Sequence, residues 1–217
     1  MRPITVTVGP LATASANAIC LSQTPAAAGT LTLNGALVSS GVATLDTARR
    51  VLITCTGNES AKTFTISGTS WSGSGQSEIL AGTNASTSQS VLDYKTVTSI
   101  TISATAANAL TVGTNAVASS PWVALDSWAM PMTAIQCTVS GTANYTVQQT
   151  LDDPNSLTSP VASASVTWVN HPDANLVAAS TTIQGNYGYA PVFVKVTLNS
   201  GTGVVTATIS QASVVTS

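Results

Sequence analysis

The stretch VFVKVTLNSGTGVVTATIS, residues 192–210, constrains the fold more than any other part of the chain. Val192, Val194, Val196 and Leu198 alternate with Phe193, Lys195 and Thr197. After NSGTG, Val205, Ala207 and Ile209 alternate with Val204, Thr206 and Thr208. A side-chain period of two belongs to a strand with one face buried. A Gly-containing break between two such runs predicts a β-hairpin. TSITISATAANALTVGT, residues 98–114, reads as a second such hairpin, and Asn34-Gly35 is a two-residue turn signal. No apolar stripe of period 3.6 lasts long enough for a helix, and residues 11–28 are the only helix candidate.

The solvent side of these strands is unusual. Thr occurs 35 times, and charged residues make up 6% of the chain, against a usual share of about 25%. A β-branched side chain with a small polar tip suits a half-buried pleated surface. The surface therefore has to be built from Thr, Ser, Asn, Gly and Ala. Net charge is −2, and Arg49-Arg50 is the only basic pair. Six basic residues cannot track a phosphate backbone, so no direct nucleic-acid partner is expected. No apolar run reaches a membrane span, and MRPITVTVGP lacks the apolar core of a signal peptide.

The pattern divides in two. NAVASSPW, residues 115–122, reads as a junction after which the strands restart. In each half a strand with an inward Cys (Cys55, Cys137) is followed by a Gly turn, a Thr-rich strand and a closing alternating pair. The expected fold is all-β: two β-sandwich domains, Ig-like or jelly-roll-like, in tandem with an extended N-terminal arm. The expected bounds are an arm or first strand at 1–9, a first domain at 10–118 and a second at 119–217. Each domain has the usual size of such sandwiches.

Few residues suggest chemistry. His171, in VNHPDAN, is the sole histidine, with Asp173 two residues on. No nucleophile-elbow motif accompanies it, and Pro172 with its Asn and Asp neighbours marks a solvated surface turn. Asp152 and Asp153, in LDDPNS, read as turn formers and not as a Ca²⁺ loop, which needs six to eight oxygens. Cys20, Cys55 and Cys137 are odd in number and widely spaced, against both a disulfide framework and a zinc site. No catalytic residue, metal or cofactor is expected. Trp71, Trp122, Trp128 and Trp168 read first as core filling, then as interface anchors, then as sugar-stacking rings. Arg49 and Arg50 point to opposite faces of one strand, with at least one structural ion pair expected there, Asp46 being a candidate acid.

Residues 17–117 carry a wider similarity. SQTPAAAGTLTLNGALVSSGVATLDTARRVLITCTGNESAKTFTISGT and LDYKTVTSITISATAANALTVGTN resemble small structural proteins of tailed bacteriophages. NYTVQQTLDDPN and YAPVFVKVTLNSGTGVVTATI are similar to sandwich modules of phage head and tail accessory proteins. The resemblance implies a non-enzymatic virion protein, most like a capsid decoration or cement protein. It would be assembled in the host bacterial cytoplasm and located in the virion, at the capsid surface. It implies the major capsid protein and other virion proteins as partners, with self-association. Arg49, Arg50, Trp122, Trp128, Ile4 and Val6 are the candidate protein contacts. A head-to-tail connector or tail accessory protein is the alternative. A carbohydrate-binding or adhesin module, and a hydrolase using His171, stand behind it.

Overall fold

The computed structural model describes residues 3–126 and 132–211. In chain order its strands are β1 (Ile4–Val8), β2 (Cys20–Gln23), β3 (Gly29–Thr30), β4 (Val38–Ser39), β5 (Val42–Cys55), β6 (Thr63–Thr69), β7 (Gly75–Ala81), β8 (Thr87–Gln89), β9 (Tyr94–Ile102), β10 (Leu110–Ser119), β11 (Val123–Ala124), β12 (Thr133–Ser140), β13 (Ala143–Thr150), β14 (Val169–Asn170), β15 (Ile183–Tyr187), β16 (Phe193–Gly201) and β17 (Val204–Gln211). Among the described residues there is no α-helix, only two three-residue 3-10 turns, Ser163–Ser165 and Ala174–Leu176. The chain is all-β and sandwich-like, as the period-two pattern predicts. The one helix candidate, 11–28, contains no helix: Cys20–Gln23 is a strand held on β10 through Gln23↔Leu110 and Cys20↔Val112.

Contacts divide the chain into two units, 12–116 and 1–11 with 117–217. In the second unit, one sheet has the order β1-β17-β12-β15. The other joins β14, β13 and β16, with β11 and residues 118–119 along the far edge of β16. Ile135, Cys137, Val205, Ala207 and Ile209 of the first sheet and Tyr145, Val147, Val194, Val196 and Leu198 of the second form one buried core. Residues 4–8 pair in unbroken antiparallel register with β17, from Ile4↔Ile209 to Val8↔Val205. They therefore lie in this chain's own sheet and do not extend from it.

The run at 192–210 gives two strands, but not the hairpin that its alternation predicts. β16 belongs to one sheet and β17 to the other. The segment between them crosses the sandwich edge. β12 and β13 do the same around Gly141. The two crossings stack on each other. Gly201 has φ +110° and leaves room for Thr142 O at 2.3 Å from where a Cβ would sit. Alternation fixes which face of a strand is buried, not which neighbour it pairs with. Two strands facing each other across a core carry the same pattern as two strands side by side.

In the first unit the order is β10-β5-β9-β6-β7, with β2 on β10, β3 on β9, and β4 and β8 on β5. Its core includes Ile19, Leu45, Val51, Ile53, Phe64, Ile66, Tyr94, Ile100 and Leu110. β6 and β7 form a true hairpin, from Thr69↔Gly75 to Thr63↔Ala81. The hairpin expected at 98–114 does not form, because β5 lies between β9 and β10. Asn34-Gly35 is not a hairpin turn either. Asn34 Oδ1 accepts the Leu21 N–H at 2.9 Å, and Gly35 N–H donates to Ile19 O at 2.9 Å. A Cβ at Gly35 would lie 2.2 Å from Ala18 C and O, so this glycine serves close backbone approach.

Candidate functional site

The outward side of the β1-β17-β12-β15 sheet is a regular four-stranded surface of the second unit. Its register places side chains in rows across the strands. Thr5, Thr208, Gln136 and Gln184 make one row; Thr7, Thr206 and Thr138 make the next; Ser210, Ala134 and Asn186 make a third. The hydroxyls of Thr5 and Thr208 lie 3.3 Å apart, as do those of Thr7 and Thr206. Gln184 Nε2 donates to Gln136 Oε1 at 3.0 Å. None of these positions carries a charge. Small residues hollow the face: a depression of about 240 Å³ is lined by Ala134, Gln136, Gln184, Gly185, Thr208 and Ser210. It meets a second of about 520 Å³ bounded by Met132, Thr133, Asn186, Tyr187 and Gly188.

The first unit presents the same kind of surface on its own sheet. Thr30, Thr101, Thr65 and Ile79 form a row across β3, β9, β6 and β7. Ser99, Ser67 and Ser77 form another, with Ser67 and Ser77 hydroxyls 3.2 Å apart. Ile79, on the edge strand β7, is 68% exposed at the border of this polar face.

The faces are neutral because the few charges are engaged elsewhere. Between the pairs Thr44↔Thr96 and Arg49↔Tyr94, β5 has four residues, 45–48, where β9 has one, Lys95. This bulge brings Asp46 against Arg49 at 3.0 Å. Arg49 is 1% exposed, and its guanidinium also donates to Ala12 O at 3.0 Å and to Asn115 O. Lys95 donates to the bulge carbonyls of Leu45 and Asp46 at 2.8 and 3.0 Å. Burial pushes the Asp46 carboxyl up, but the Ala12 N–H and the Arg49 guanidinium outweigh it and hold it below its ordinary value. Arg50 pairs with Asp93 at 2.8 Å and donates to Ser90 O. Lys62 pairs with the buried Glu59, whose other oxygen accepts from Ala107 and Asn108 N–H. Lys195 Nζ sits 4.5 Å from the centroid of the Trp168 ring.

The other sequence-predicted contacts scatter. Ile4 is 37% exposed at the start of β1, and Val6 is half-buried against the core. Trp122 is half-buried, edge-on to Trp168 at 4.9 Å and to Phe193 at 5.8 Å. With Lys195 these rings cover one face of β16, but the core filling expected first for the tryptophans is not found: Trp122 and Trp168 are half-buried, Trp71 is 39% exposed, and none of the three joins a buried core. Trp128 lies outside the described residues. Arg49 and Arg50 each form an ion pair, with Asp46 and Asp93, where at least one was expected.

His171 is not the solvated loop residue that its neighbours suggest. It is 3% exposed, with its ring 4.3 Å from that of Tyr187. Its Nδ1 accepts the Asp173 N–H at 3.0 Å, so the neutral ring carries its proton on Nε2. A general base of the Ser-His-Asp type needs the opposite tautomer, with Nδ1–H donating to a carboxylate. The Asp173 carboxylate instead caps Asn175 N–H at 2.9 Å. Asp152 and Asp153 accept backbone N–H groups of Thr167 and Asn155 at 2.7 and 2.8 Å. Among the described residues no three His, Cys, Asp or Glu side chains gather. The cysteines are buried and unpaired with one another, and burial pushes Cys20 and Cys137 up to about 12.

Comparison with protein-family models, curated proteins and solved structures finds no match for the chain. The rows of the two faces were legible only in part. Thr-x-Thr in β1 and β17 signals a polar face, but Thr5 and Thr208 are 203 positions apart and only the register joins them.

Proposed function

We propose that the protein is a non-enzymatic virion structural protein of a tailed phage, a decoration or cement protein that binds the assembled head. Its two β-sandwich domains act as passive slabs. The observation that carries the reading is the pair of broad, uncharged, row-ordered Thr/Ser/Gln faces, combined with the engagement of every described basic side chain inside its own unit. Such faces lose little hydration free energy when covered, and carry no unpaired charge to desolvate. The resemblance of residues 17–117 to phage structural proteins supplies the partner class, with the major capsid protein as the surface bound. A ligand that binds only the assembled shell stabilises it by mass action and requires no reaction.

The test compares heads with and without the protein. Heads that carry it retain their contents to a higher temperature, at a copy number matched to the shell lattice. Heads of unaltered heat resistance, with the protein found in a few copies at the neck or tail, would replace the cement role by that of a connector or tail accessory protein. Binding to a glycan array in the absence of heads would favour an adhesin.

A further inference from the structure

The β1 edge of the second unit carries a self-complementary sequence. Ile4-Thr5-Val6-Thr7-Val8 reads alike in both directions about Val6: Thr flanks it on each side, and an aliphatic residue ends the strand at each limit. Among the described residues β17 is the only strand bonded to β1, and none of them pairs with the main-chain N–H and C=O groups on its opposite edge. Edges of this kind are usually blunted by a charge, a proline or a bulge. Within residues 4–8 there is no charge and no proline, and the register with β17 runs without a shift. The other edges are less suited. β15 contains Gly185 and has no such symmetry. β7 carries Glu78, whose carboxylate is already bonded to Val91 and Leu92 N–H at 2.8 and 3.2 Å.

We propose that β1 pairs with β1 of a second copy of this chain, antiparallel about a two-fold axis at Val6. Thr5 then lies opposite Thr7 of the second copy, Ile4 opposite Val8, and Val6 opposite Val6. Every Thr falls on the outward face and every aliphatic residue on the core face. An isologous contact requires such self-complementarity. Alternate residues of β1 bond to β17, and whichever set remains free forms about four to six new main-chain bonds in this register. The four-stranded sheet becomes a continuous eight-stranded one. The row Thr5–Thr208–Gln136–Gln184 of one copy then runs into the row Thr7–Thr206–Thr138 of the next. Val6 and the 37% exposed Ile4 are covered. The proposal does not rest on the virion reading.

Sedimentation velocity of the full chain over a concentration series tests it, with two double variants at exposed positions. Thr5→Lys/Thr7→Lys sets like charges opposite each other across the new pair. Thr5→Lys/Thr7→Glu sets opposite charges there in this register alone. Wild type is expected to dimerise with rising concentration. The like-charge variant is expected to dissociate at least tenfold more readily, and the mixed-charge variant to dimerise at least as tightly as wild type. Both variants are expected to keep the wild-type circular dichroism and melting temperature. A wild type that stays monomeric overturns the proposal. So do two variants that both associate like wild type, which would place the contact elsewhere. A mixed-charge variant that stays folded but is as monomeric as the like-charge one overturns the register and with it the proposal.

Discussion

Replacing Arg49 by Met tests whether the scarce charges hold the fold. The guanidinium is buried in the β5 bulge and bridges the Asp46 carboxylate, Ala12 O and Asn115 O. Met fills much of the volume but takes the guanidinium away from two carbonyls and from a carboxylate that keeps only backbone N–H donors. Removing one partner of a buried ion pair costs about 3–5 kcal/mol. The Asp46 side chain is 31% exposed and regains water, which places the loss near the lower limit, about 3 kcal/mol. At roughly 4 °C per kcal/mol for a unit of this size, the melting temperature falls by about 12 °C. Arg49→Lys is expected to lose most of this as well, because one ammonium cannot span all three acceptors. Calorimetry and urea titration of the purified variants measure the change. A Met variant that melts within about 2 °C of wild type would refute the reasoning, since hydrophobic packing alone would then account for the site.

Other outcomes follow from the same geometry. Burial holds the His171 pKa below its ordinary value of 6.5, against a smaller upward pull from Asp173. The unfolded chain therefore takes up the proton first, and stability falls as pH drops below about 6.5. His171→Phe removes that component, seen as a smaller change in urea midpoint between about pH 7.5 and about pH 5 than in wild type. Gly113→Ala places a Cβ 1.8 Å from Ser15 O and is expected to destabilise the first unit by more than about 2 kcal/mol, whereas Gly75→Ala, with nothing within 4 Å, changes the melting temperature little. Thiol reagents are expected to label Cys20, Cys55 and Cys137 only once denaturant opens the cores; rapid labelling of the native chain would contradict their burial.

The sequence makes the strands legible and leaves their partners hidden. Residues 192–210 show both strands and the inward faces of both, because burial on one side imposes a period of two. That period is blind to the choice between pairing beside a neighbour and facing it across a core, so β16 and β17 were expected together and lie in different sheets. Residues 98–114 fail for a related reason, since nothing local marks the place that β5 takes between β9 and β10. Asn34-Gly35 has the composition of a tight turn, but its glycine is required by the Ala18 backbone pressed against it. The Arg49–Asp46 pair was legible from spacing and charge scarcity. The burial of His171 was not: His-Pro-Asp looks like surface punctuation, and Tyr187, whose tilted ring packs against it, arrives sixteen residues later on β15.

In the proposed role, broad uncharged faces join this protein to an assembled shell. Co-sedimentation with purified heads over a range of salt concentration tests it most directly, with wild type beside Thr208→Lys and Gln136→Lys. The account predicts that wild-type binding to heads is nearly unchanged from low to high salt, because screening acts on charge and not on neutral contacts. It also predicts that either lysine weakens binding while leaving the fold intact. Binding that collapses with salt, or that tolerates both lysines, would contradict it.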